Sequence, residues 1–313
     1  MTKNDVPAAE TDTVRRRPLA TLAIGAGFAA LAASRQALAQ PAVGVEDTLD
    51  RIKRTGVFNL GAREANPPYG FKTAGGEYVG FATEIAQAIY ANVNKELGGA
   101  IKLNYIPVTS ETRIPLLQNS TIDMEAGATV VTQARVKVVD FTTAHFLTST
   151  EILTATDSGI HGFADLAGKR IGVPRGGLEE AAYRAINAAG RLKSPVTTIG
   201  FPDHPQGFTA LQTGSVDAYS SDGPILYGMK ERSSDSAQWT IFDPAINSFL
   251  QAFPIRPESS KFKSIADLTI VGLCASGAWN VLYEKYFGPK STTPYPMTDL
   301  LKAMVLMNSW PPQ

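Results

Sequence analysis

From about residue 57 the chain alternates short β-rich runs with amphipathic helical stretches, and it does so in two cycles. That alternation confines it to α/β layering, because strand-then-helix units bury their apolar faces by stacking helices on a shared sheet. In the first cycle, residues 57–62 predict a strand, 81–97 a helix and 101–108 a strand, followed by a short helix at 114–118 and a buried strand at 122–128. The second predicts strands over 170–174, 196–201 and 216–220, with helices over 178–189 and 207–213 between them. Two extended segments, 148–156 and 248–255, separate and follow the cycles, and a tail helix is expected over 275–287. This pattern predicts two lobes joined by two crossing strands, with the C-terminal helices returning to the first lobe. The expected boundaries are 40–149 with 250–313 for lobe 1, and 150–249 for lobe 2. A cleft between two lobes is a common seat for a small ligand.

With 313 residues the chain is long enough for two modest cores. Its 29 basic and 29 acidic residues cancel, so it lacks the basic surplus that nucleic acid or an anionic membrane would require. The first 39 residues read as a cleavable export signal. Arg15, Arg16 and Arg17 precede a mildly apolar run from Pro18 to Ala33, and Ala37-Leu38-Ala39 has the small-x-small pattern of a cleavage site. The paired arginines, weak hydrophobicity and Arg35 fit a twin-arginine route, whereas Val14 and Pro18 fit it less well. Cleavage after Ala39 removes five basic and three acidic residues and leaves 24 and 26, a net of −2. The single cysteine, Cys274, excludes an internal disulfide and lies in an apolar stretch that reads as core. His145, His161 and His204 lack metal-ligand spacing, and no Gly-x-Ser-x-Gly elbow is present, so no metal, cofactor or hydrolase chemistry is expected.

In open α/β sheets, ligands bind beyond the carboxyl ends of the strands. Applied here, that rule selects Arg63 after the first strand, Ser110 and Arg113 after the second, and Thr132 and Arg135 after the third. In the second cycle it selects Arg175-Gly176-Gly177, Asp203-His204 and Ser221-Asp222. A Ser or Thr helix cap usually has Glu or Gln three residues on. In Ser110-Glu-Thr-Arg113 and Thr132-Gln-Ala-Arg135 that position holds Arg, a cation at the positive end of a helix dipole. A bound anion would reverse the sign of that interaction, and the guanidinium fork grips a carboxylate with two hydrogen bonds. Asp222 suits a ligand ammonium or plain capping. His204 is a donor or a structural histidine. Tyr69 or Phe71, in Pro-Pro-Tyr-Gly-Phe, fits an aromatic wall or core packing equally well.

At these positions the sequence resembles the polar amino-acid receptors of bacterial ABC transporters, family 3 of the extracellular solute-binding proteins, and among them the glutamate/aspartate-binding members. The resemblance runs from about Asp47 to Phe287. It rests on Pro107-Val-Thr-Ser-Glu-Thr-Arg-Ile-Pro-Leu-Leu-Gln-Asn119, Asp123-Met-Glu-Ala-Gly-Ala-Thr129, Arg135 and Asp140-Phe-Thr142, supported by Gly61-Ala-Arg-Glu64, Asp203-His204 and Ser276-Gly277. It implies a two-lobed periplasmic-binding-protein fold of type II that closes about a hinge on an amino acid, with an inner-membrane ABC permease as partner and a monomeric, periplasmic, non-enzymatic protein. By the same resemblance Arg135 takes the α-carboxylate and Asp222 the α-ammonium, while Arg63, Ser110, Arg113 and His204 bind a distal carboxylate. Thr129 belongs to the same wall. The family's acidic amino-acid receptors carry hydroxyl residues where this chain has Ala128, Val130 and the Gly177-Leu178 pair, and a small polar residue where it has Arg175. Their paired cysteines are replaced by Ala126 and Phe253. The solute is therefore expected to be glutamate, aspartate, a related dicarboxylate or a larger amino-acid derivative. A lyase or dehydratase on the same fold, using Glu125 or His204, and a ligand-binding sensor module are the competing expectations.

Overall fold

The computed structural model describes residues 46–310; the expected export signal at 1–39 lies outside them. Helix α1 (Thr48–Thr55) begins where the Asp47 side chain accepts a hydrogen bond from the Leu49 amide at 2.8 Å. It stops at Gly56, whose φ of 69° is a left-handed cap that glycine adopts without penalty. Strand β1 (Val57–Ala62) follows, and then a small antiparallel sheet of β2 (Ala65–Asn66), β3 (Gly70–Lys72) and β4 (Tyr78–Val79). Helix α2 (Phe81–Glu96) leads to β5 (Lys102–Pro107), α3 (Arg113–Gln118), β6 (Met124–Ala126) and β7 (Asp140–Phe141). Both β5 and β6 run parallel to β1, with Leu60 opposite Tyr105 on one side and Met124 on the other.

The chain then crosses to a second sheet along β8 (Phe146–Ala155). That sheet is completed by β9 (Arg170–Pro174), α4 (Leu178–Ala188), β10 (Thr197–Phe201), α5 (His204–Gln212), β11 (Ala218–Asp222), α6 (Gly223–Glu231) and β12 (Trp239–Phe242). Its order is β10-β9-β11-β8-β12. The return strand β13 (Ser248–Gln251) pairs antiparallel with the start of β8, and β14 (Pro254–Ile255) enters the first sheet, whose order is β5-β1-β6-β14-β7. Two strands therefore connect two sheets. Helices α7 (Ser260–Ala275), α8 (Ala278–Phe287) and α9 (Asp299–Met307) end the described chain, and α7 packs on α2 and α1. The fold is the expected two-lobed α/β architecture.

The tail differs from its sequence reading. The helix expected at 275–287 occurs as α8, but α7 before it was not expected; Ser276-Gly277, where Gly277 adopts a φ of 78°, separates the two. Phe262, Ala266, Ile270 and Cys274 recur every four residues, and all four are buried, which is what makes α7 a core helix. Cys274 is part of this core, and burial raises its thiol to about 11. The first lobe is centred on an aromatic cluster in which Phe81 meets Trp279 edge-on at 5.4 Å and Phe287 at 5.1 Å.

His145 borders this cluster, fully buried and stacked on Phe253 at 4.2 Å. Burial lowers its pKa from 6.5 to about 3, so the folded protein holds it neutral. Below pH 6.5 the unfolded chain binds a proton there that the folded chain does not, so stability falls as pH drops from about 6.5 toward 3. Urea titrations of wild type and His145→Phe between pH 7 and 4 are expected to diverge in slope, with the variant losing less stability on acidification. Parallel curves would remove His145 from the account.

Candidate ligand-binding site

The ends of strands from both sheets converge on one cleft. From the first lobe, Arg63 directly follows β1, Ser110 and Arg113 lie beyond β5, and Ala128, Val130 and Arg135 lie beyond β6. From the second lobe come Gly177 and Leu178 at the start of α4, His204 at the start of α5, and Asp222 at the end of β11. These residues line a cleft holding about 330 Å³ of space, part of it open to solvent. The lobes are closed on one another: the Arg135 Nη2 donates to the Gly176 carbonyl across the cleft at 3.2 Å. Gly176 has a φ of 71°, and a Cβ there would lie 2.8 Å from the Glu111 Cα, so only glycine allows this approach.

Several expected residues do not line the cleft: Thr132, Gly176 and Asp203 flank it, and Tyr69, Thr129 and Arg175 are directed elsewhere. The turn between β2 and β3 carries the Tyr69 ring inward, where it is fully buried and meets Phe146 at 5.3 Å and Phe287 at 5.7 Å; it belongs to the aromatic core. Thr129 is also fully buried, and its hydroxyl donates to the Glu125 Oε2 at 2.6 Å behind the cleft wall. Arg175 is exposed and donates to the Gly200 carbonyl at 3.2 Å, outside the cavity. Ser221, selected at the end of its strand, does line the cleft, and Asn66, Pro174, Glu179 and Ile225 line it without having been expected there. Glu179 is the consequential one, because it brings a second buried carboxyl to the second lobe's wall. In the sequence it is one of two acids in the first turn of α4, which reads as ordinary complement to a helix dipole.

The cleft concentrates buried charge. Arg63, Arg113 and Arg135 all face it. Burial, and then repulsion from Arg113, lower Arg63 and Arg135 to about 10. The Arg63 Nη1 donates to the Ser110 hydroxyl at 3.1 Å, and the Arg135 Nη1 to the Val130 carbonyl at 2.8 Å. Under this wall sits Glu125, fully buried on β6, with its Oε1 3.8 Å from the Arg113 Nη1. Gly127 is glycine because a Cβ there would collide with this carboxylate and lie 3.1 Å from the Arg63 Cγ.

The second lobe supplies the opposite charge. Asp222 accepts from the Gln251 Nε2 at 2.8 Å, which ties it to the return strand. Burial, and then Glu179, raise the Asp222 carboxyl well above its ordinary value, while burial lifts Glu179 to about 7 against the pull of Arg135 and Arg113. His204 bonds to the Tyr219 hydroxyl through Nδ1 at 3.1 Å. Burial and the nearby Arg63 and Arg113 lower it to about 3, so it is neutral. One wall is cationic and the other acidic, an arrangement that suits a solute carrying both anionic and cationic groups. No cluster of metal-ligating side chains occurs among the described residues.

Residues 58–289 match the bacterial extracellular solute-binding proteins, family 3. The chain belongs to that family. It is 32% identical over 265 residues to an L-glutamate/L-aspartate-binding protein of Pseudomonas aeruginosa, covering 82% of this chain and 87% of that one. It is 29% identical over 272 residues to a glutamate/aspartate import solute-binding protein of Escherichia coli, covering 85% and 89%. Among solved structures, an ancestral arginine-binding protein bound to glutamine superposes with a TM-score of 0.65 at 27% identity, over 74% of this chain and 98% of that one. An ancestral amino acid-binding protein that is a precursor of cyclohexadienyl dehydratase shares the fold, with a TM-score of 0.66 at 23% identity, over 77% and 100%. This family 3 protein is thus a two-lobed solute-binding receptor.

Glu125 is the counter-charge beneath the arginines, so removing it leaves buried cations uncompensated. Glu125→Gln keeps an acceptor for Thr129 but not the charge. It is expected to lower unfolding free energy by about 3 kcal/mol, measured by urea denaturation without ligand. A change under about 0.5 kcal/mol would mean that the arginines do not depend on Glu125.

Proposed function

We propose that this protein is the periplasmic receptor of an ABC importer, closing on an acidic amino acid of the glutamate/aspartate class and delivering it to an inner-membrane permease. One observation carries the reading: the buried guanidiniums of Arg63 and Arg113 and the half-buried one of Arg135 face Asp222 on the opposite wall of a single cleft. In the proposed complex Arg135 takes the α-carboxylate and Asp222 the α-ammonium. Arg63, Arg113, Ser110 and the neutral His204 receive the distal carboxylate. Arg135 also holds the Gly176 carbonyl of the opposite lobe, so the group that binds the α-carboxylate is the one that senses closure. A ligand that joins the two walls favours the closed state by its extra affinity for it. The names of the relatives from Pseudomonas aeruginosa and Escherichia coli support the same solute class.

Binding is favoured over turnover by the two candidate acid–base groups. Glu125 is engaged by Thr129 and Arg113 behind the wall, and His204 is a neutral group held by Tyr219.

Thermal-shift screening of the mature chain against amino acids and dicarboxylates tests the proposal. L-glutamate or L-aspartate at about 100 times its Kd is expected to add roughly 2.7 kcal/mol of stability, and Arg135→Ala is expected to abolish the shift. A response to neutral amino acids alone would overturn the distal-carboxylate assignment.

A further inference from the structure

Glu179 lines the cleft and has no part yet in holding the solute. It is 3% exposed, but it makes no ion pair and no side-chain hydrogen bond with another described residue. It stands in the first turn of α4, where its carboxyl bears on its own backbone N–H. A Cβ on Gly177 would collide with the Glu179 Oε2, so the carboxyl fills the space that a side chain at this N-cap would take. The adjoining Gly176 carbonyl is the one that receives the Arg135 Nη2 at 3.2 Å. Glu179 and Arg135 therefore flank the place given to the α-carboxylate. Arg113 faces Glu179 together with Arg135 from the first lobe, Asp222 and Tyr219 face it from β11, and Glu180 and Tyr183 from its own helix.

We propose that Glu179 binds the solute as a neutral acid: it takes a proton from water as the α-carboxylate enters and donates it to that carboxylate. This rests on the orientation given under the proposed function, with the α-carboxylate on Arg135. Charge matching requires the proton. Arg63, Arg113 and Arg135 bring three positive charges to the cleft, and Glu125, Asp222 and Glu179 bring three negative ones when all are ionised. The cleft is then neutral, and an acidic amino acid adds a negative charge that nothing offsets. With Glu179 protonated the cleft keeps one positive charge in excess, which matches that solute. Two carboxylates side by side repel, whereas a carboxylic acid donates a short, charge-assisted hydrogen bond to a carboxylate. Burial already raises Glu179 to about 7 against the pull of Arg135 and Arg113, so the proton is available near neutral pH.

Calorimetric titration of the whole mature protein with L-glutamate, repeated in buffers of different ionisation enthalpy, counts the protons exchanged on binding. Asp222 exchanges protons of its own, so the readout is the difference between wild type and Glu179→Gln, which keeps a hydrogen-bond donor and does not titrate. Glu179→Ser, also a donor without charge, takes its place if the glutamine variant lacks an intact melting transition. Below about pH 6 Glu179 is already protonated in the free protein, and the two proteins are expected to exchange the same number of protons. At about pH 8 wild type is expected to take up about one proton more, and its affinity relative to the variant to fall by up to about tenfold per pH unit above 7. Equal proton counts at pH 8 would overturn the role of Glu179 and leave the glutamate reading standing. A variant that binds glutamate more weakly than wild type at pH 8 would mean that an ionised Glu179 grips the solute, and it too overturns the proposal. Absence of L-glutamate binding at every pH overturns both readings.

Discussion

Arg63, Arg113 and Arg135 point into one cleft, where Arg113 raises the cost of keeping Arg63 and Arg135 charged. Desolvation alone is expensive for a guanidinium, and three in one cavity would be untenable without compensation. Glu125 supplies part of it from beneath, and the Val130 and Gly176 carbonyls and the Ser110 hydroxyl take individual N–H groups. Asp222 and Glu179 face them from the other lobe, their carboxyls raised by burial. Neutral His204 adds no further positive charge. A zwitterionic solute with an anionic excess completes this arrangement, because its carboxylates replace the solvent that closure removes from the guanidiniums.

The same charges connect binding to shape. Arg135 is attached to the first lobe, yet one of its hydrogen bonds ends on a carbonyl of the second. That contact is possible because Gly176 brings backbone against Ser110 and Glu111 with no side chain intervening. On the far side, Gln251 on the return strand β13 holds Asp222, so the acid facing the ligand is anchored to one of the two strands joining the lobes. Closure therefore acts on both halves of the site together.

Much of this was legible in the sequence because strand ends are legible. Runs such as Val57–Ala62 and Arg170–Pro174 have the length of strands and are bounded by turn residues, and the positions beyond strand ends are where the topology puts ligands. Arg63, Arg113, Arg135, His204 and Asp222 reach the cleft for that reason. Residues whose direction depends on a turn were not legible. Arg175 follows a correctly placed strand and Tyr69 sits in a turn between two strands that the sequence reading did not place; they point away from the cavity, Tyr69 into the aromatic core and Arg175 toward the Gly200 carbonyl. Glu179 had no signal of its own, since an acid in a first helical turn is ordinary until folding buries it opposite three arginines. Helix α7 did carry a four-residue apolar repeat, but the tail was read only from residue 275, beyond most of it.

The central claim is that an acidic solute bridges a cationic and an acidic wall and thereby closes the lobes. Pulsed electron resonance between nitroxides on exposed Ala74 of the first lobe and Lys193 of the second measures this directly, since the one native thiol, Cys274, is buried. Saturating L-glutamate is expected to shift the distance distribution to a single narrow population, and Arg135→Ala is expected to abolish the shift. An identical distribution with and without bound solute would contradict the account.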